Sequence, residues 1–125
     1  IIRLKEFCSE IFDPTGIAYF FDVDGTLLDT RLTLSSRKDL YLILKEAVTN
    51  AAKYSRAGKV SVSFRDHIHA VRITVEDNGV GTDLALASSG NGLRNMRYRA
   101  AAMRSELMIE SKKGEGMKVI VNIPV

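Results

Sequence analysis

The chain has 125 residues, of which 46% are hydrophobic and 26% charged, and carries a net charge of +3. That length suits one domain with a real core, and the composition is that of an ordinary soluble globular protein. Such a small positive surplus is compatible with a polyanionic small ligand and too little to argue for nucleic acid. The single cysteine, Cys8, excludes an intramolecular disulfide, no Cys/His pair has metal spacing, and no apolar run is long enough to span a membrane. A reducing compartment is expected. The opening Ile1-Ile2, without Met and without a signal peptide, leads us to expect a piece of something longer.

Ile2 to Phe12 is predicted as a short amphipathic helix with Leu4, Phe7, Cys8 and Ile11 on one side. Asp13-Pro14-Thr15-Gly16 stops it, and Ile17 to Val23, rich in aromatic and branched residues, is predicted as a strand. Asp24-Gly25 is a tight-turn signal that joins this strand in a hairpin to the segment before a long helix. Ser35 or Ser36 can cap that helix, which runs to about Ala57 and meets Gly58 at the position of a C-terminal glycine. Val60 to Phe64 and Val71 to Asp77 alternate as strands, with His67 and His69 in the turn between them rather than a ligand pair. The mostly small residues of Thr82 to Gly90 are predicted as a loop. A second good helix runs from Leu93 to Met103, and two strands, Leu107–Ser111 and Met117–Ile123, close as a hairpin around Lys113-Gly114-Glu115-Gly116. This order predicts a mixed sheet covered on one face by helices.

Three stretches carry candidate chemistry. Val75-Glu76-Asp77-Asn78-Gly79-Val80-Gly81 delivers a carboxylate from a strand into a glycine turn. Glycines permit positive φ and close approach to the main chain, and an Asp there can accept from an amino group such as that of adenine; the same sequence is also ordinary turn chemistry. On the long helix, Ile43, Glu46, Asn50 and Lys53 fall on one stripe, beside an apolar stripe of Leu40, Leu44, Ala47, Val48 and Ala51. Asn50 offers a hard neutral oxygen suited to Mg²⁺, Glu46 a carboxylate able to orient or deprotonate an attacking group, and Lys53 a point charge for phosphate. Finally, Gly90-Asn91-Gly92-Leu93-Arg94-Asn95-Met96 opens a helix whose first N–H groups suit an anion, and the Thr82–Gly90 loop before it can close as a lid.

These stretches, followed by Gly114-Glu115-Gly116, occur in an order that resembles the ATP-binding domain of sensor histidine kinases, in the superfamily shared with gyrase, a heat-shock chaperone and mismatch-repair ATPases. Gly92-Leu93-Arg94-Asn95-Met96 and Arg99-Ala100 look like the kinases whose response regulators carry a helix-turn-helix output. The resemblance covers nearly the whole chain. It implies an α+β two-layer sandwich of the Bergerat type: a mixed, mostly antiparallel sheet covered on one face by about three helices, forming a single catalytic domain of a larger kinase. It implies ATP and Mg²⁺ as cofactors, with Asn50 holding Mg²⁺ and Asp77 binding the adenine amino group. Gly79 and Gly81 would shape the base pocket, Gly90 and Gly92 would hinge the lid beside Leu93, Lys53 would meet the nucleotide, and Glu46 matches the catalytic acidic position. The implied partners are an upstream dimerisation domain bearing the acceptor histidine and a response regulator, in a full-length homodimer located in the cytoplasm or on the cytoplasmic side of a membrane-anchored sensor, with no nucleic acid and no membrane contact from this segment. One departure stands out: the last glycine box often continues with Thr, and here it has Met117.

Phe20-Phe21-Asp22-Val23-Asp24-Gly25-Thr26 also resembles the first motif of haloacid-dehalogenase-type phosphatases, which implies Asp22 as a nucleophile and Asp24 as its acid/base. That family needs a later strand-end Ser/Thr, a Lys, a second acidic pair and βαβ units, none of which the order of elements supplies. The phosphatase, and a non-catalytic ATP-binding switch, stand as the alternatives to the kinase.

Overall fold

A computed structural model describes residues 2–23, 33–54, 58–67, 70–79, 91–112 and 114–124. Helix α1 (Ile2–Phe12) turns through a short 3-10 segment (Asp13–Thr15) into strand β1 (Ala18–Val23). The long helix α2 (Leu34–Tyr54) leads to β2 (Lys59–His67) and β3 (Ala70–Asp77). Helix α3 (Asn91–Ala102) then precedes β4 (Glu106–Lys112) and β5 (Gly116–Pro124). The five strands form one mixed sheet in the order β1-β2-β3-β5-β4.

Leu4, Cys8 and Phe12, one helical turn apart, form the buried ridge of α1, and Phe7 and Ile11 pack beside it. Phe12 stacks on Tyr19 of β1 with ring centroids 5.6 Å apart, so the end of α1 is tied to the first strand. Between them the chain reverses at Gly16, whose φ of +75° is a left-handed conformation that costs glycine little.

The hairpin expected of β1 is not what the described residues form. β1 pairs in parallel with β2, Ala18 opposite Lys59 through Val23 opposite Phe64. A parallel pair needs a crossover rather than a tight turn, and α2 is that crossover. The described residues therefore do include a βαβ arrangement, against the sequence expectation; the Asp24-Gly25 turn lies outside them. The other pairings, β2 with β3, β3 with β5 and β4 with β5, are antiparallel. The α2 cap also differs: Thr33, not Ser35 or Ser36, takes it, its Oγ1 accepting the Ser36 N–H at 3.1 Å and its carbonyl the Arg37 N–H at 2.9 Å. The helix is described to Tyr54, and residues 55–57, where the sequence places its end, lie outside the described set.

Alternation along the strands gives the sheet two unlike faces. One carries the rows Phe21–Val62–Val75–Val119–Ile109 and Val23–Phe64–Ile73–Val121–Leu107; apart from the exposed Val23, these residues make most of the core with Leu40, Ile43, Leu44, Ala47, Val48 and Ala51 of α2, Leu93, Met96 and Ala100 of α3, and Met103 just beyond α3. The other face is mostly polar and cross-braced: Asp22 pairs with Arg65, Arg72 Nε donates to Asn122 Oδ1 at 2.8 Å, and Lys118 lies 3.9 Å from Glu76. Exposed pairs of this kind add little stability each, so the helix-covered face holds the fold. No helix of the described residues is long and apolar enough to cross a membrane.

Cys8 has no exposed surface, and burial pushes its thiol pKa up to about 12. Since only the thiolate reacts, a disulfide reagent at mildly alkaline pH is expected to leave the native chain unmodified and to label Cys8 fully in denaturant. Labelling of native protein at the rate of a free peptide thiol contradicts the docking of α1.

Candidate functional site

Asp77 ends the central strand β3. The alternation that buries Val71, Ile73 and Val75 puts it on the helix-facing side, where it is 8% exposed. A buried carboxylate costs several kcal/mol unless its oxygens are satisfied. Here the Gly79 N–H donates to Oδ1 at 2.9 Å, and the Met117 N–H also donates to the carboxylate. Burial raises the Asp77 pKa, those two hydrogen bonds lower it in part, and the neighbouring Glu76 raises it again; the net direction is upward.

Gly116 explains why glycine closes the final hairpin. Its φ is +84°, and a Cβ built there would lie 2.2 Å from the Asp77 carbonyl oxygen. Backbone to backbone, β5 starts where only hydrogen fits against the strand that presents Asp77. Asn78 does a second job: its Oδ1 accepts the N–H groups of Gly58 and Lys59, both at 2.9 Å, and its own N–H donates to the Lys59 carbonyl. The residue after Asp77 thereby fastens the start of β2. A cavity of about 290 Å³ wraps this end of the sheet, touching Asp77, Met117, the Gly116 turn and, from the other face, Glu76 and Lys118.

On α2 the expected polar stripe divides. Ile43 is fully buried and belongs to the core, while Glu46 and Asn50 are half-buried at the edge of the buried stripe. Lys53 lies on the last turn of α2, but its side chain is outside the described residues. Glu46 reaches the first turn of α3, where its Oε1 lies 2.3 Å from the position a Cβ on Gly92 would take. A carboxylate beside a helix N-terminus is favourably placed with respect to the helix dipole. Farther along, Arg99 of α3 bonds Asp39 of α2 at 3.2 Å, and a cavity of about 170 Å³ between the helices has Leu42, Glu46, Met96 and Arg99 among its walls.

Of the sequence-predicted residues, Asp77 and Gly79 are joined by a hydrogen bond, and Glu46 and Gly92 by direct approach. Leu93 is buried in the core, so only its main chain is free to serve a site. Gly81 and Gly90, with the lid expected between them, lie outside the described residues. Asn78 and Gly116 had no contact assigned from sequence, although the Asp-Asn-Gly run and the second glycine of the Gly-Glu-Gly box were their signals. Asp22, singled out by the phosphatase motif, is exposed on the opposite face of the sheet, with its pKa lowered first by the hydrogen bond from Arg65. A nucleophile in a carboxylate-lined pocket is not what surrounds it among the described residues.

A mixed sheet covered on one face by helices is a fold that this chain shares with solved histidine kinases. Structurally, the chain matches the histidine kinase domain of the Erythrobacter litoralis EL346 blue-light activated kinase with a TM-score of 0.81 at 23% identity, over 97% of this chain and 58% of that one. It matches full-length ShkA, solved with AMPPNP, with a TM-score of 0.80 at 24% identity, over 97% of this chain and 29% of that one. Residues 35–125 match the HATPase_c family, the histidine kinase-, DNA gyrase B- and HSP90-like ATPases, and the chain belongs to that family. In sequence it is 28% identical to the sensor histidine kinase LiaS of Bacillus subtilis (strain 168) over 98% of its own length. It spans about a third, 34%, of LiaS.

Two outcomes test this geometry. Gly116→Ala combines a left-handed φ, worth about 1–3 kcal/mol for a non-glycine residue, with a backbone clash, and is expected to lower the melting temperature markedly. Gly92→Ala meets only the flexible end of Glu46, and alanine gains about 1 kcal/mol of helix propensity, so its melting temperature should stay near the parent's. Equal losses in the two variants would contradict the distinction.

Because the folded state raises the Asp77 pKa, the protonated side chain lends stability that is complete below the ordinary value of 3.8 and is lost as pH rises through the folded value. At neutral pH the charge is a net cost. Asp77→Asn, which keeps an acceptor for Gly79, is expected to melt higher than the parent at neutral pH, with the gain shrinking as pH falls toward 3.8. A gain independent of pH, or a loss at neutral pH, contradicts the desolvation argument.

Proposed function

We propose that this chain is the Mg-ATP-binding catalytic domain of a two-component sensor histidine kinase, delivering the γ-phosphate of ATP to a histidine on a separate helical dimerisation domain. The observation that carries the reading is Asp77: among the described residues this buried carboxylate is held by two backbone N–H groups, and a carboxylate can accept more, which suits an exocyclic amino group. Nucleotide in ShkA, a protein of the same fold, supports the choice of ligand.

In this reading Asp77 takes the adenine amino group, and Gly79 and Gly81 leave room for the ring. Gly90 and Gly92 let the lid hinge next to Leu93, with the first-turn N–H groups of α3 and Lys53 meeting phosphate. Asn50 is the protein's ligand for Mg²⁺. Among the described residues no group of three or more His, Cys, Asp or Glu is placed to hold a metal, and one neutral oxygen fits an ion that takes the rest of its shell from phosphate and water. When bound, Mg²⁺ neutralises charge on the phosphates. Glu46, which reaches Gly92 at the start of α3, would orient or deprotonate the attacking imidazole. Catalysis is then chiefly positioning and charge neutralisation.

The acceptor histidine belongs to another domain of a larger, dimeric, cytoplasmically located kinase that serves a response regulator, so this chain alone binds nucleotide and transfers little. Calorimetry tests the site. The parent is expected to bind Mg-ATP; Asp77→Asn, which trades a charged acceptor for a neutral one, should lose roughly tenfold or more in affinity. Asn50→Ala should bind ATP equally with and without Mg²⁺. Undiminished binding by Asp77→Asn overturns the assignment.

A further inference from the structure

The carboxylate of Asp77 can meet only the edge of a bound base, and a planar heteroaromatic ring also needs an apolar surface against its faces. The strand register limits where that surface can come from. Asp77 stands in the row Tyr19–Val60–Asp77–Met117–Ser111 on the helix-facing side of the sheet. Val60, its neighbour on one side, has no exposed surface, and Val75, two residues back along β3, is buried as well. Gly116 has no side chain and no space for one against the Asp77 carbonyl. Met117, directly opposite Asp77 on β5, is half-buried: it packs on the core yet keeps accessible surface, and its backbone N–H already bonds the Asp77 carboxylate. Directly opposed residues on one face of an antiparallel pair have Cβ atoms about 4.5–5.5 Å apart, within the span of a purine whose amino group rests on Asp77.

We propose that Met117 is the base-contacting apolar wall of this site, its thioether packing on the purine ring while Asp77 reads the amino group. The proposal rests on the nucleotide reading above. Methionine suits this role because it is unbranched, adapts its three rotatable bonds to an irregular gap, and carries a polarizable sulfur that makes favourable contacts with aromatic rings. A hydroxyl-bearing residue at this position would offer the base edge a second polar contact, and Met117 cannot. Of the side chains flanking Asp77 across the sheet, then, none but Asp77 itself donates to or accepts from the base, and Met117 contributes affinity without discriminating between bases.

The chain supplies its own controls, since it has four methionines. Met96 is buried on α3 and Met103 just beyond its end, and Met108 points to the opposite face of the sheet, opposite Ile120. With methyl-¹³C methionine, saturating Mg-ATP is expected to move one methyl resonance upfield by ring current, the one missing from Met117→Leu, and to leave Met108 in place. Inorganic triphosphate should not move the Met117 signal. Met117→Ala should weaken Mg-ATP binding roughly two- to tenfold in calorimetry, and Met117→Leu, which keeps the apolar bulk, should recover most of that loss. If ATP binds while the Met117 methyl stays still, or if Met117→Ala binds as the parent does, the proposal is overturned. If the parent shows neither heat nor any shift with ATP, the nucleotide reading falls and takes this proposal with it. A Met117 shift accompanied by full affinity in Asp77→Asn would overturn the role of Asp77 alone and leave the thioether contact standing.

Discussion

The rest of the structure is arranged around one buried charge. Asp77 is kept out of water at the end of the central strand, and its carboxylate is tolerated because the N–H groups of Gly79 and Met117 point at it. Each donor requires something of its own strand: β3 must turn immediately after Asp77, and β5 must begin close enough for Met117 to reach across. Gly116 meets the second requirement by occupying a left-handed conformation against the Asp77 carbonyl. Asn78 secures the opposite flank by binding the two amides that lead into β2. Three strands are thus fastened together around one buried acceptor.

Above the sheet, α2 has two duties that share a boundary. Its buried stripe fills the space over β2, β3 and β5, and its half-buried flank carries Glu46 and Asn50. Glu46 rests on α3 where Gly92 leaves it room, so the polar flank of one helix sets the approach of the next. Farther along, the ion pair between Asp39 and Arg99 holds the same two helices together. The polar edge is therefore not an addition to the core but the rim of the same helix pair that builds it.

Much of this was legible in the sequence because it is written in local periods. The alternation of Val71, Ile73 and Val75 fixes the face on which Asp77 must lie, and the spacing of Leu40, Leu44, Ala47, Val48 and Ala51 fixes which side of α2 is down. Among the described residues, three helices and five strands were anticipated from such patterns. What was not legible is set by tertiary contacts. Parallel pairing of β1 with β2 leaves no local trace, and the Asp24-Gly25 turn signal pointed to a neighbour instead. Ile43 shares a stripe with Glu46 on a helical wheel, but the boundary of burial falls between them. Thr33 won the cap over Ser35 and Ser36 because the chain enters the helix earlier than the serines imply. The close approaches at Gly116 and Gly92 join residues remote in sequence, and composition alone marks neither.

The central strand also carries an inverted copy of its own chemistry. Glu76 precedes Asp77 and faces the other way, beside Lys118 on the polar side. Since side chains alternate, sliding β3 by one residue against its neighbours would turn Glu76 inward and Asp77 outward, presenting a carboxylate of nearly the same charge to the helices while moving the glycine turn out of reach. Such an impostor would keep an acid at the right place without the amides that make it bearable there. Pairing on both sides of β3, fixed at one end by Asn78 and Gly116, is what makes the strand hold the correct one of its two acids.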